Sequence, residues 1–346
     1  MDSTPTDPAG EETLQRLWAR GCDFLGTPTA ILGGAMSWVS ERNLVSAISN
    51  AGGFGTIACG SMDPDMLCTE IAATAALTDK PFGVNLITMH PDLDALIDVC
   101  LAKTVGHVVL AGGLPRTTQI ARIKAGGAKV LCFAPTLTFA HKLMRSGADA
   151  LIIEGMEAGG HIGPVSTSVL AQEILPEIDD VPVFVAGGIG HGEAVAAYLE
   201  MGASGCQLGT RFVCAEESIA HPDFKKRLLR AQARDAQVSS QLDPRFPVVP
   251  VRALANAASD RFLDVQRTVI AKVEAGELDQ KAAQLEIEHF WVGALRRAII
   301  DGDVDNGSVM VGQSVGMVRS EQPLAKVIAE LVAQAARALA RRNPAT

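Results

Sequence analysis

The sequence of 346 residues lacks the patterns that define several large protein classes. It contains no apolar run of about 18 residues, so we expect no membrane-spanning helix. Its first residues, MDSTPTDPAGEET, are acidic and polar, whereas a secretory signal peptide begins basic and continues apolar. Lys and Arg total 30 against 39 Asp and Glu, and this formal charge of −9 argues against general nucleic-acid binding.

Cysteine is sparse and shows no pattern. The seven cysteines form no C-x-x-C pair, which argues against a zinc site. Their odd number and wide scatter argue against a disulfide framework. We therefore expect reduced thiols and a cytoplasmic location.

Two motifs of common enzyme classes are also missing. The chain has no G-x-x-x-x-G-K-[ST] and no G-x-G-x-x-G that opens a first βα turn. Nucleotide hydrolysis and a dinucleotide-binding fold lose support for this reason. A G-x-S-x-G is present as GQSVG (312–316), but it lies outside the predicted βα units, so serine-hydrolase chemistry loses support through its position.

Apolar residues and glycine are plentiful. Hydrophobic residues make up 48% of the chain and 33 residues are glycine, which excludes a disordered chain and indicates a large core with many tight turns. The length fits two domains, or one barrel-type domain with a C-terminal extension.

Eight short apolar segments alternate with helix-like segments in the first two thirds of the chain. Their first residues lie 21 to 33 residues apart, as repeated βα units require. We expect an α/β protein with a closed (β/α)₈ TIM barrel, and an open doubly wound sheet is the alternative. The predicted strands are Thr29–Leu32, Gly55–Ala58, Phe82–Leu86, His107–Leu110, Lys129–Phe133, Ala150–Ile153, Val183–Ala186 and Gly205–Leu208.

The sequence changes character after residue 215. A basic helical piece and a stretch rich in proline precede long helical segments near 259–276, 279–300 and 323–342, which are too long for barrel units. We expect a smaller C-terminal helical domain or cap. The predicted division is an N-terminal extension (1–25), the barrel (26–215), the helical cap (216–310) and a C-terminal segment that returns to the barrel (311–346).

Two glycine-rich turns predict a phosphate site. AGGIG (186–190) follows the seventh predicted strand and QLGTR (207–211) follows the eighth, where barrels habitually bind phosphate. Gly187 and Gly188 and the run Gln207, Leu208, Gly209 and Thr210 are therefore candidate cofactor-binding residues. The alternative is that these glycines only form tight turns.

His161 is the candidate proton carrier. It follows the sixth strand in EGMEAGGHIGP, where flanking glycines can project an imidazole over a bound ring. Met36, after the first strand in GGAMSW, and Asn85, in PFGVN at the end of the third, are weaker candidates. A methionine beside glycines is usually part of a core, and an asparagine at a strand end is usually a turn cap.

These segments together resemble the nitronate monooxygenase (2-nitropropane dioxygenase) family, which includes the flavin-dependent enoyl-acyl-carrier-protein reductase II. The resemblance covers about residues 26–335 and rests on five segments. They are GGAMSWVSERNLVSAISNAGGFG, PFGVNL, GADALIIEGMEAGGHIG, VPVFVAGGIG and GCQLGTRFVCAEESIAHP.

The resemblance implies a barrel that binds one FMN. Asn85, Glu154, Gly159, Gly188 and the run Gln207–Thr210 would contact FMN, and Met36 would lie near its ring. His161 matches the family's active-site histidine, which takes the α-proton of a nitroalkane. The implied reaction oxidises alkyl nitronates or nitroalkanes with O₂ to a carbonyl compound and nitrite. We expect this reaction ahead of the others, with a small-molecule substrate and a homodimer as an open option.

Glu154 stands where many monooxygenase members have Gln, which favours the reductase II branch. In that branch NADH or NADPH reduces FMN and a 2-enoyl thioester is the acceptor. The basic stretch Lys225, Lys226, Arg227, Arg230 and Arg234 could then dock an acyl carrier protein, although a solvated helix face is the more common explanation of such a stretch. An NADH:quinone reductase, a non-enzymatic FMN-binding protein and a flavin-free aldolase or isomerase barrel are further alternatives.

Overall fold

The structure is a computed structural model that describes residues 8–245 and 249–342. The first seven residues of the predicted N-terminal extension lie outside the described residues. So do three residues of the proline-rich stretch and the last four residues of the C-terminal segment. Within the described residues, no helix combines the length and apolar character needed to cross a membrane, and all seven cysteines are free thiols.

Eight parallel strands form the main sheet, in the spatial order β1-β9-β8-β6-β5-β4-β3-β2. An isolated parallel bridge between Leu32 and Phe54 joins the first and last of them, so the sheet closes into a barrel. This confirms the TIM barrel and excludes the open sheet. The strands are β1 (Ile31–Gly33), β2 (Gly55–Ala58), β3 (Phe82–Ile87), β4 (His107–Ala111), β5 (Lys129–Phe133), β6 (Ala150–Glu154), β8 (Val183–Ala186) and β9 (Gly205–Leu208).

The eight predicted strands are all present, and four have the predicted bounds. The largest difference is at β1, which begins two residues later than predicted. The Thr29 backbone N–H donates to the Gly52 carbonyl, so this residue belongs to a loop contact and not to the ladder. Almost every strand residue is buried, because helices cover the outside of the barrel and side chains fill its inside.

The helices that cover the barrel are α2 (Arg42–Asn50), α3 (Pro64–Leu77), α4 (Leu93–Ala102), α5 (Thr117–Ala125), α6 (Leu137–Arg145), α7 (Thr167–Ile174), α8 (Gly192–Glu200) and α9 (Thr210–Val213). Four of the barrel helices, α2, α3, α6 and α8, begin after a residue whose side chain accepts from a free N–H group of the first turn. Asp63 accepts from the Met66 N–H at 2.8 Å, and Thr136 accepts from the Phe139 N–H at 3.2 Å.

The described part of the N-terminal extension is helix α1 (Pro8–Leu25), which packs on the last helix, α13 (Leu324–Arg342). Leu14 and Trp18 of α1 are fully buried in the main core. α13 also packs on α8, where Gln334 accepts from the Gly192 N–H at 2.8 Å. Both chain ends therefore pack side by side on the same flank of the barrel.

The segment between the barrel and α13 contains strands that the sequence analysis did not predict. Helices α10 (Pro222–Leu229), α11 (Ala257–Glu274) and α12 (Gln280–Ile299) accompany β10 (Ala236–Val238), β11 (Val251–Leu254) and β12 (Val309–Met310). These strands form a second sheet with β7 (Gly160–His161). A separate small core around Phe262 and Trp291 holds α11, α12 and β11 together. This part is therefore mixed α/β and not purely helical, and the predicted domain boundaries stay a prediction.

A buried histidine closes the bottom of the barrel. Nε2 of His107, at the start of β4, lies 2.9 Å from the Phe24 carbonyl oxygen, and Lys129 donates to the same oxygen. The rings of Phe24 and Phe54 both meet the imidazole edge-on. Desolvation by this apolar packing lowers the pKa of His107 to about 4, so the imidazole is neutral at pH 7.

We expect His107 to make the protein less stable in mild acid. The unfolded histidine binds a proton near pH 6.5 and the folded one only near pH 4, so stability falls as the pH drops through that window. The loss at pH 5 is about 2 kcal/mol relative to pH 7.5. Denaturant unfolding of the wild type and of His107→Gln at both pH values measures it. His141→Gln, a half-buried histidine on α6, is the control and keeps the wild-type dependence. An unchanged dependence in His107→Gln would contradict the assignment.

Candidate active site

Strand register places three of the predicted polar residues on one face of the barrel sheet. Asn85 pairs with Val109, and the pairing continues through Leu131 to Ala150, which shares a face of β6 with Glu154. Glu154 pairs with Ala186, which pairs with Gln207. Asn85, Glu154 and Gln207 therefore lie on the same face, at the carboxyl ends of β3, β6 and β9.

That face is the inside of the barrel. His107 and Phe184 lie on it, two residues before Val109 and Ala186 on the same strands. Both side chains contact the single ring of Phe24, although three strand spacings separate β4 from β8. Side chains from such distant strands converge only on the concave face. Asn85, Glu154 and Gln207 thus form the uppermost interior layer, at the rim where barrels carry their active sites.

The three side chains of this layer have few partners within the protein. Asn85 donates one long bond, of 3.4 Å, to the Val109 carbonyl, and its amide is 5% exposed. Among the described residues, the carboxyl group of Glu154 and the amide of Gln207 form no hydrogen bond. Asn85 and Gln207 are buried and Glu154 is partly exposed, so this layer leaves polar groups for a partner that the chain itself does not supply.

Burial also controls the charge of Glu154. Desolvation at the strand end raises the pKa of its carboxyl group to about 8. The group is therefore protonated at neutral pH and can donate a hydrogen bond, which makes it functionally similar to the amide of a glutamine. A ligand with an exposed acceptor atom fits such a donor.

The loop after β8 lies open beside this layer. Gly187 and Gly188 have φ values of +98° and +70°, which only glycine adopts without strain. A Cβ on Gly188 would also come within 2.9 Å of the Glu157 Cβ. The backbone N–H groups of Gly188 and Gly209 donate to no oxygen within residues 8–245 and 249–342. Both groups are available to an anion, although the glycines themselves are explained by loop packing.

The loop after β9 is held by the returning C-terminal segment. The Thr210 hydroxyl accepts from the Gly312 N–H at 2.9 Å, and the Leu208 carbonyl accepts from the Gly34 N–H at 2.8 Å. The Leu208 side chain is buried in the core, so it can serve a ligand only through its backbone. Gly159 lies against the same segment, because a Cβ there would meet the Gly312 nitrogen at 2.5 Å.

His161 stands on β7, which is a strand of the second sheet and not of the barrel. It pairs with Val251 of β11, and the next residue, Ile162, donates to the Pro250 carbonyl at 2.9 Å. The imidazole is exposed. The loop beneath it is anchored by Glu157, whose carboxylate accepts from both the N–H and the hydroxyl of Thr167 at 2.8 Å.

Met36 lies at the opposite side of the rim, in the loop after β1. A Cβ on Gly209 would lie 3.4 Å from the Met36 sulfur, so these two loops touch. Trp38, two residues on, has a φ of +66°, which is strained for a bulky residue. Arg296 of α12 lies 5.7 Å from the centre of its ring. The loop therefore also contacts the part of the chain from α10 to β12 (222–310), which we call the second unit.

The residues present fit a flavin nucleotide. The interior layer offers an unpaired amide and a neutral carboxyl group to a heteroaromatic ring, and the free N–H groups of Gly188 and Gly209 suit a phosphate. Thr210 is already engaged and Gly159 packs against protein, so these two are the weaker members of the predicted set. The set as a whole stays a prediction.

Comparison with known proteins gives the family. The model of the nitronate monooxygenase family matches residues 20–96 and 92–334, so the chain belongs to this family. The family is flavin-dependent in general, and the protein is an oxidoreductase.

Among curated proteins, the chain is 30% identical over 334 residues to the (3aS,4S,5R,7aS)-5-hydroxy-7a-methyl-1-oxo-octahydro-1H-indene-4-carboxyl-CoA dehydrogenase of Mycobacterium tuberculosis. The match covers 90% of this chain and 93% of that protein. The Rhodococcus jostii protein of the same name is 36% identical over 64% of this chain and 62% of its own length. A nitronate monooxygenase of Paraburkholderia phytofirmans is 27% identical, over 94% of this chain and 95% of that protein.

Two solved structures resemble the fold closely. FabK from Thermotoga maritima superposes with a TM-score of 0.83 and 36% identity, over 93% of this chain and 97% of that chain. The nitroalkane oxidase of Streptomyces ansochromogenes superposes with a TM-score of 0.76 and 28% identity, over 92% and 98%.

The sequence analysis missed the residues that hold the His161 loop. Glu157 of this loop is hydrogen-bonded to Thr167, and Gly312 packs against the loop backbone at Glu157 and Gly159. Arg252 of β11 donates a hydrogen bond to the loop at the Met156 carbonyl. The one available signal was an arginine inside the apolar stretch VPVRAL, because a buried strand rarely carries a charge without a partner.

The basic stretch after residue 220 is not one continuous charged face. Lys225 is buried, with its ammonium group 2.8 Å from the Ala215 carbonyl and 2.6 Å from the Glu321 carboxylate. Lys226, Arg230 and Arg234 are exposed. Lys225 is therefore not part of the exposed surface that we expected to dock an acyl carrier protein.

We expect Glu154→Gln to stabilise the apoprotein at neutral and alkaline pH. The folded carboxyl group keeps its proton up to about pH 8 while the unfolded one loses it near pH 4.5, so wild-type stability falls as the pH rises between these values. Glutamine removes this dependence. Unfolding free energies at pH 5 and pH 8 should differ less in the variant, and Glu173→Gln, at an exposed residue of α7, is the control. An equal pH dependence in the wild type and in Glu154→Gln would contradict the buried, neutral carboxyl group.

Proposed function

We propose that the protein is an FMN-dependent oxidoreductase that acts on the α,β-carbon pair of an acyl thioester. The observation that carries the proposal is the position of His161 on the segment that follows β6, the strand that ends at Glu154 of the rim layer, whose polar groups have few partners within the described residues. Two supports come from relatives. Two curated relatives with at least 30% identity are carboxyl-CoA dehydrogenases, and FabK is more similar in structure than the nitroalkane oxidase.

The roles of the chain's own residues follow from the geometry. His161 takes the proton from the α-carbon of a saturated thioester, or returns it to that carbon in the reverse direction. Asn85, Gln207 and the protonated Glu154 hold the ring of FMN at the barrel rim, and the N–H groups of Gly188 and Gly209 hold its phosphate. FMN would supply the two-electron redox chemistry, as acceptor or donor of the hydride that leaves or joins the β-carbon while His161 takes or returns the α-proton.

Oxidation of alkyl nitronates is the second candidate. The family model and the Paraburkholderia relative carry that name, and a nitroalkane oxidase shares the fold at 28% identity. Oxidation of a neutral nitroalkane requires a base next to its acidic C–H, as oxidation of the thioester does, and His161 would supply that base in both cases. A preformed nitronate needs no base. The neutral Glu154 in place of a glutamine does not separate the two, because either side chain donates a hydrogen bond.

We expect one FMN per chain, released by heat and identified by its absorbance and chromatographic retention. Gly188→Ala should lower FMN occupancy, because the added Cβ would crowd Glu157 and strain the loop at a positive φ. Gly127→Ala is the matched control, since Gly127 also has a positive φ but no heavy atom within 4 Å of the added Cβ. Full occupancy in Gly188→Ala would remove this loop from the cofactor site.

The anaerobic reaction of the holoenzyme tests the substrate class. Cyclohexanecarboxyl-CoA should bleach the flavin, and cyclohex-1-ene-carboxyl-CoA should restore the colour of the reduced enzyme. His161→Ala should slow bleaching by about 10²–10⁴-fold, the usual contribution of a general base. His90→Ala, which alters a histidine outside this loop, is the control and should react at the wild-type rate.

Other outcomes of the same experiment identify the alternatives. Bleaching by propyl-2-nitronate and not by the thioester would replace the proposal with nitronate oxidation. Bleaching by NADH or NADPH followed by recolouring with the enoyl thioester would keep the thioester and set the direction as reduction. Recolouring by a quinone alone would reject both.

A further inference from the structure

The strand that carries His161 is joined to the second sheet by continuous pairing. Gly160 pairs with Arg252 and His161 with Val251, and the Ile162 N–H continues the ladder to the Pro250 carbonyl. The barrel contributes no strand to this pairing. The position of the imidazole is therefore set by β11 more directly than by the barrel strand from which its loop departs.

Arg252 lies at the junction between this sheet and the loop. Its side chain is 4% exposed, and its Nε donates to the Met156 carbonyl at 2.9 Å. Its Nη1 donates to the Ala236 carbonyl of β10. One rigid guanidinium thus connects the turn that begins the His161 loop to the two strands of the sheet on which that loop ends.

The charge of Arg252 has no counterion that would explain its burial. The nearest carboxylate that acts on it is Glu157, but the structure gives the two no ion pair within the described residues, and Glu157 is committed to Thr167. Desolvation accordingly lowers the pKa of the guanidinium. A buried charge without a paired carboxylate opposes stability, and an apolar side chain of similar size would fill the same space.

We propose that Arg252 is a positioning residue that fixes the His161 loop to the second sheet, so that the sheet and the base move as one unit. The inference rests on the proposed role of His161 as the base. Without the two hydrogen bonds of the Arg252 guanidinium, the Met156 carbonyl is no longer connected to β10. The backbone pairing of residues 160–162 with β11 remains. The imidazole then samples positions outside reach of the substrate α-carbon, and a displacement of about 1 Å is enough to cost about 10²-fold in rate.

The test uses the holoenzyme of Arg252→Met, which keeps the volume, and of Arg252→Lys, which keeps the charge but not the fork. Hydrogen exchange of the amides in 155–162 should become faster in Arg252→Met, while exchange in 183–200 and FMN content stay at wild-type values. The rate constant of flavin reduction should fall about 10²-fold with the apparent substrate Kd unchanged. Arg252→Lys should fall between the wild type and Arg252→Met, because one ammonium group cannot hold both carbonyls.

Arg261→Met is the matched control. Arg261 also lies in the second unit and also donates to a backbone carbonyl, that of Asn306, but it does not touch the His161 loop. Wild-type exchange in 155–162 together with a wild-type reduction rate in Arg252→Met would overturn the proposal. Faster exchange throughout the barrel would also overturn it, because that result marks a general loss of stability.

Two features keep the test separate from the proposed function. The exchange measurement needs no substrate, so it reports on the anchoring of the loop even if the thioester fails to bleach the flavin. The kinetic measurement uses whichever carbon acid, thioester or nitroalkane, reduces the wild-type enzyme. If Arg252→Met does not fold, the comparison of Arg252→Lys with Arg261→Met decides: wild-type loop exchange and rate in Arg252→Lys would then overturn the proposal.

Discussion

Closure of the parallel sheet is the constraint on which the rest of the molecule depends. The bridge between Leu32 and Phe54 makes the sheet continuous, and a closed parallel barrel brings the carboxyl ends of all eight strands to one rim. Residues as distant in the chain as Asn85 and Gln207 become members of one interior layer. The opposite end is sealed by the Phe24 ring between His107 and Phe184, so stability and chemistry occupy different ends of the same barrel.

The two ends differ in how their polar groups are paired. At the sealed end, Nε2 of His107 and the Lys129 ammonium group share the Phe24 carbonyl oxygen, while Nδ1 of His107 is buried without a partner among the described residues. At the rim, the Glu154 carboxyl group is desolvated and has no partner within the described residues. Such a group lowers the stability of the chain by itself. Its presence is understandable if a ligand completes the layer, as the proposed FMN would.

The second unit holds the proposed base. The segment that carries His161 leaves the barrel after β6 and pairs with β11 of the second sheet. In the proposed site, the barrel therefore supplies the rim layer and the second sheet holds the base. The returning segment at Gly312 touches both Thr210 and the loop around Gly159, which joins the unit to the rim.

The sequence by itself determined the barrel, because each buried strand and the helix after it leave a local pattern of apolar residues and caps. It also indicated His161 and the glycine loops, because glycine density and strand ends are local features. Only the tertiary structure revealed that Asn85, Glu154 and Gln207 share one interior layer, since this depends on register across six strands. The strand pairing of His161 was likewise invisible, and the contacts of Arg252 were not predictable, although its charge inside the apolar stretch VPVRAL was a signal. Strands of two to four residues carry too little periodicity to recognise, and their partners lie about 90 residues away in the chain.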